Sequence, residues 1–176
     1  MDIKALIRTV PDFPKPGIRF RDITPLLADA AGLRHVVGAL AERYHGKVDK
    51  VVGIEARGFI FGAAIAHAIG AGFVPVRKPG KLPHALHGHD YELEYGQGRV
   101  EIHVDGVGGG DRVVVIDDLL ATGGTAQAAI ALVERGGATV VECGFVIELV
   151  DLPGRLRLER GGHRVHALCG FSEAEG

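Results

Sequence analysis

The stretch VVVIDDLLATGGT, residues 113–125, decides how this chain is read. Val113, Val114, Val115 and Ile116 form an unbroken β-branched run, which suits a central parallel strand covered on both faces. The strand is expected to end in two acids, Asp117 and Asp118, and to pass through a Gly/Thr loop into a helix over residues 125–135. Ala121, Thr122, Gly123, Gly124 and Thr125 form that loop. At Gly123 and Gly124 no Cβ keeps a ligand from the backbone N–H groups, and the threonines add hydroxyl donors. The following helix aims its positive end at the same place, which makes an anion site of phosphate size. Carboxylates repel phosphate, so Asp117 and Asp118 are assigned to nearby hydroxyl groups as acceptors. A phosphate beside a diol points to a ribose 5-phosphate.

Working outward, strands alternate with helices, which predicts an α/β fold with a mainly parallel central sheet flanked by helices. Strands are expected at 19–22, Lys50–Ile54, 73–77, 113–118, Thr139–Leu149 and 163–169, with a hairpin at 91–95 and 99–104 around Gly96. Helices are expected at 3–8, at 29–45 behind an Asp29 cap, at 58–69 and at 125–135. Residues 78–89 show no periodicity and read as a loop. A length of 176 residues predicts one domain, 1–176, with a small N-terminal hood over about 1–28 and a flexible loop over about 78–95.

Composition narrows the partners. A net charge of −2 argues against nucleic acid as the main partner. The most apolar run, 58–76, is broken by His67 and Gly70, so no membrane span is expected. Cys143 and Cys169 sit in apolar runs and read as reduced core thiols of a cytoplasmic protein. No Gly-x-x-x-x-Gly-Lys-Ser/Thr occurs, and the glycines at 106–110 precede a strand, so two other phosphate loops are excluded. His84, His87 and His89 share a loop but lack acids or cysteines to complete a metal site.

Residues 113–125 resemble the 5-phosphoribosyl-1-pyrophosphate (PRPP) signature of the type I phosphoribosyltransferases: two acids, a spacer, then Ala-Thr-Gly-Gly-Thr. The resemblance implies that fold and a second, diphosphate-binding half. The turn Glu55-Ala56-Arg57-Gly58 follows a strand and opens onto a helix, as the family's pyrophosphate loop does, often through a cis peptide, here Glu55–Ala56. Many relatives carry Asp-Ser there, so this chain lacks a hydroxyl. Arg77, Lys78 and Lys81 lie within five residues, and a mobile lid could carry them to a departing diphosphate while excluding water.

Two further segments are similar to those of adenine phosphoribosyltransferases. In LEYG, residues 93–96, the resemblance makes Glu94 the acid/base near the purine N7, beside Tyr95. In FPKPGIRFRDITPLL, residues 13–27, it implies a base hood in which Phe20 stacks on adenine. Arg19 and Arg21 would read the purine edge through backbone groups, and Leu119 would pack on the opposite face of the base. The implied substrates and products are adenine, PRPP, AMP and pyrophosphate. Mg²⁺ would be held by PRPP and water near Asp117 and Asp118 rather than by direct protein ligands. A homodimer is implied too, with Arg77 reaching the neighbouring site. Two alternatives stay open. One is a transferase of the same fold for hypoxanthine, guanine, xanthine or orotate, which the hood and LEYG oppose. The other is a regulator that senses PRPP, which the full catalytic loop opposes.

Overall fold

The run at 113–116 lies in the middle strand of a five-stranded, wholly parallel sheet in a computed structural model that describes residues 1–92 and 96–172. In chain order, a 3-10 turn (Lys4–Leu6) leads into strands β1 (Arg8–Val10) and β2 (Phe20–Asp22) and helices α1 (Thr24–Ala28) and α2 (Ala30–Tyr44). Next come β3 (Lys50–Ile54), α3 (Arg57–Ile69), β4 (Gly72–Val76), β5 (Leu86–Glu92) and β6 (Gln97–His103). The chain continues through β7 (Arg112–Leu120), α4 (Gly124–Arg135), β8 (Thr139–Leu149), α5 (Gly154–Arg160) and β9 (Val165–Phe171).

The sheet order is β4-β3-β7-β8-β9. Val114 and Ile116 pack with Val51 and Val146 against Leu40 of α2 and Phe61 of α3. Val113 and Val115 pack with Val52 against Leu132 of α4 and Ile102 of β6. All four residues of the run are fully buried, each contributing roughly 1.5–3 kcal/mol of transfer free energy. That two-sided cover explains why the run is continuous rather than alternating.

The order of the strands places the site. From β3 the chain proceeds to β4 on one side, and from β7 to β8 and β9 on the other. The direction of winding therefore reverses between β3 and β7, and a crevice opens at their carboxyl ends. The turn at 55–58 leaves β3 and the loop at 121–125 leaves β7, so both predicted anion-binding segments flank that crevice.

Several expectations are corrected. β7 runs on to Leu120, so Asp117 and Asp118 lie inside the strand, because β8 continues to pair with it through Glu148. Residues 3–8 form a 3-10 turn and part of β1, since β1 gains an antiparallel partner in β2. Helix α1 was not anticipated. Asp22 accepts from Thr24 N at 2.9 Å and Pro25 occupies the first turn, while Asp29 separates α1 from α2 and accepts from Gly32 N at 2.6 Å. The loop expected at 78–89 is shorter, because β5 already begins at Leu86; β6 supplies its hydrogen bonds although LHGHDYE has no apolar alternation. The last strand lies two residues later than expected, and α5 precedes it.

Candidate active site

The loop after β7 enters α4 through Gly123 at φ +80°, a left-handed geometry that favours glycine. The N–H groups of Gly123, Gly124, Thr125 and Ala126 donate to no protein acceptor among the described residues. They are the free donors of a helix start and leave a ready anion cradle. The glycines have a second reason that the sequence did not disclose. A Cβ on Gly123 would lie 3.1 Å from the Gly154 backbone, and one on Gly124 would lie 3.4 Å from Arg157 Nη1, Glu92 O and Tyr91 Cδ2. The absent side chains thus let α5 and the hairpin close on the loop, rather than only leaving room for the ligand.

Asp117 and Asp118 stand side by side, and Asp118 N donates to Asp117 Oδ1 at 2.8 Å. Burial, and then the neighbouring charge of Asp118, holds the Asp117 carboxyl well above the usual 3.8. Burial also raises Asp118, against the pull of the Arg57 guanidinium. Arg57 Nε lies 2.9 Å from Asp118 Oδ2 as an ion pair, without the alignment of a hydrogen bond. That oxygen is a buried acceptor with no aligned donor, which is what a ribose hydroxyl could supply.

Arg57 also faces Phe20, with its guanidinium carbon 5.1 Å from the ring centroid. Phe13 meets the same ring edge-on at 5.2 Å. One cation therefore links the turn after β3, the acid pair of β7 and the aromatic residue of the hood. Leu119 follows Asp118 and is half-buried against the α2 and α3 face of the sheet. Arg21 is buried with its side chain directed at the end of β9: its guanidinium donates to Thr9 Oγ1 and to Ser172 O, and stacks 4.3 Å from the Phe171 centroid. A cavity of about 390 Å³ opens beside it, with Arg19, Leu149, Asp151 and Phe171 among its walls.

The Glu55–Ala56 peptide is cis, as the resemblance implied. Glu55 Oε2 accepts from Arg77 Nε at 3.1 Å and from Lys78 N at 2.9 Å. Burial works to raise the Glu55 carboxyl, but those two donors outweigh it and hold it below the usual 4.5. Arg77 Nη1 donates to Lys81 O at 3.4 Å, and the side chains of Lys78 and Lys81 are exposed. The root of the cationic loop is pinned by a residue that sequence reasoning passed over. Buried Glu101 exchanges two backbone hydrogen bonds with Arg77, at 2.9 and 2.8 Å, and accepts from Gly80 N at 3.2 Å. Its signal was an acid between Val100 and Ile102 in an apolar strand. Glu94 and Tyr95 lie outside the described residues.

Among the described residues no cluster of three or more His, Cys, Asp or Glu could hold a metal ion, and no helix is long and apolar enough to cross a membrane. Cys143 and Cys169 form no disulfide; burial pushes the Cys143 thiol up to about 12.

Comparison with known proteins shows the family and the fold. Residues 22–157 match the phosphoribosyl transferase domain. The chain is 61% identical to the adenine phosphoribosyltransferase of Methylobacillus flagellatus over 99% of this chain and all of that protein. The crystal structure of the adenine phosphoribosyltransferase of Thermoanaerobacter pseudethanolicus superposes with a TM-score of 0.92 at 50% identity, covering 97% of this chain and 98% of the other. That of Saccharomyces cerevisiae, solved with adenine and an iminoalditol bisphosphate, gives 0.88 at 40% identity over 95% and 96%. By that match to the family over most of its length, the protein belongs to the adenine phosphoribosyltransferases of the phosphoribosyl transferase family.

Proposed function

We propose that this protein transfers the 5-phosphoribosyl group of PRPP to N9 of adenine, releasing pyrophosphate and forming AMP in purine salvage. The reading is supported by the turns 55–58 and 121–125, which leave β3 and β7 on either side of the winding reversal, with Asp117 and Asp118 between them.

In this reading Ala121, Thr122, Gly123, Gly124 and Thr125 hold the 5′-phosphate. Asp117 and Asp118 accept from the ribose hydroxyls and favour the positive charge that develops at C1. Glu55, Ala56 and Arg57 form the diphosphate turn. Arg57 leaves Asp118 and Phe20 to meet the diphosphate, which at once frees an acceptor for ribose and a ring face for adenine. Arg77, Lys78 and Lys81 close over the leaving group. Phe20 and Leu119 sandwich the base while Arg21 fixes the hood that reads its edge, and Glu94, next to Tyr95, handles the proton at the purine. An ion would be held by substrate oxygens and water near Asp117 and Asp118. Mg²⁺ bound in that way would neutralise charge on the leaving diphosphate. We read residues 1–176 as one domain of a cytoplasmic homodimer, with Arg77 the cation directed to the neighbouring site.

The test is turnover of adenine, hypoxanthine, guanine, xanthine and orotate in turn with PRPP and Mg²⁺. Adenine is expected to be converted fastest, to AMP and pyrophosphate in equal amounts. Faster conversion of a 6-oxopurine would overturn the assignment of the base.

A further inference from the structure

We infer that Arg157, on the short helix after β8, is a second, side-chain ligand for the 5′-phosphate held by the loop after β7. The inference rests on the reading of that loop as the 5′-phosphate site. Helix α5 is pressed against the loop. Gly154 sits so close to Ala121 O that a Cβ there would collide with it, and Gly123 faces Gly154 in return. This contact carries Arg157 over the start of α4. Its Cδ lies 3.5 Å from the Cβ position of Gly123 and its Nη1 lies 3.4 Å from that of Gly124.

Arg155 and Arg57 differ from it in circumstance. Arg155, on the same helix, is spent on Glu148 at 2.8 Å, Glu159 at 3.3 Å and Val165 O at 3.0 Å. Arg57, across the crevice, is paired with Asp118. The Arg157 side chain has no hydrogen-bond or ion-pair partner among the described residues, and it is exposed. It stands at the positive end of α4, beside N–H groups that are themselves unpartnered, a placement that costs free energy until an anion arrives. A phosphate there would accept from the backbone N–H groups and from the guanidinium fork together, and the fork matches phosphate geometry. Arg157 also walls a cleft of about 530 Å³ with Tyr91, Glu92, Gly124 and Gln127, so the hairpin that carries the catalytic loop meets the same cation.

The experiment compares wild type, Arg157→Gln, Arg157→Lys and Thr125→Ala by calorimetric titration with AMP and with adenosine, which lacks the phosphate. The expected result is an AMP affinity lowered about tenfold in Arg157→Gln, as for loss of one charge-assisted contact, with adenosine affinity unchanged and partial recovery in Arg157→Lys. Unchanged AMP affinity in Arg157→Gln, with weakened AMP binding in Thr125→Ala, would overturn the role of Arg157 and leave the loop as the phosphate site. If neither variant weakened AMP, both the loop reading and the inference would fall. Equal loss of AMP and adenosine in Arg157→Gln would assign the residue to packing and likewise overturn the inference.

Discussion

The two halves of the crevice, each an anion site in the proposed function, are built by different means. The half at the end of β7 is made of backbone. Its donors belong to consecutive residues at a helix start, fixed by the glycine at φ +80° and by the packing of Gly154 against the loop. The half at the end of β3 is made of side chains that already have partners: Arg57 on Asp118, and Arg77 on Glu55. A backbone cradle is organised before the substrate arrives and loses nothing on binding. A paired arginine must exchange one partner for another, so its contribution is the difference between two ion pairs. Under the proposed function, permanent phosphate and departing diphosphate would therefore meet a rigid site and an exchangeable one, respectively.

The largest expected effect breaks the rigid half. Gly123→Val forces a β-branched residue to φ +80° and places its Cβ 3.1 Å from the Gly154 backbone. A loss of about 3 kcal/mol in stability is expected, a fall in melting temperature of roughly 6–12 °C, together with loss of PRPP binding. Thermal unfolding and a PRPP titration check both; a variant that still binds PRPP as wild type does would show that the loop is not the anchor. The next effect concerns the chemistry between the halves. Glu94→Gln is expected to lower turnover by a factor on the order of 10² while PRPP binding is retained. An unchanged rate would place proton transfer elsewhere.

A smaller effect sharpens the contrast through Asp117. Burial and Asp118 raise its folded-state pKa above 3.8, so the protonated form favours folding, and the stability it contributes is lost as pH rises through that raised value. Asp117→Asn is therefore expected to be more stable than wild type at pH 7 by about 1 kcal/mol, roughly 3 °C, while losing activity. The gap should close as pH falls towards the usual carboxylate range. Melting curves across pH decide it: a less stable variant at pH 7 would mean that Asp117 is held by donors rather than strained by burial.

The same contrast explains what the sequence disclosed. The phosphate half is contiguous, so strand, acids, loop and helix can be read in order from 113–125. The parallel sheet followed from β-branched runs spaced by helices. The diphosphate half was legible as residue types, Arg57, Arg77, Lys78 and Lys81, but the partners of its arginines were not. Glu55 and Asp118 meet them only once β3, β4 and β7 lie side by side. Glu101 escaped notice because its role depends on a bridge between the hairpin and Arg77. Helix α5 carried a local signal that went unused: Pro153 at its start, good helix formers in LRLER, and Gly161 and Gly162 at its end. Strand β5 had none, because its ladder comes from β6 and not from an apolar face.

The central claim is that Arg57 exchanges Asp118 for diphosphate while the loop after β7 stays still. A crystal structure with AMP, pyrophosphate and Mg²⁺ bound tests it most directly. The account predicts the 5′-phosphate on the N–H groups of 122–125 with that loop unmoved, and Arg57 turned from Asp118 and Phe20 onto pyrophosphate, with ribose hydroxyls in its place at Asp118. Arg57 still paired with Asp118 beside a bound pyrophosphate, or a loop that rebuilds itself around the phosphate, would contradict it.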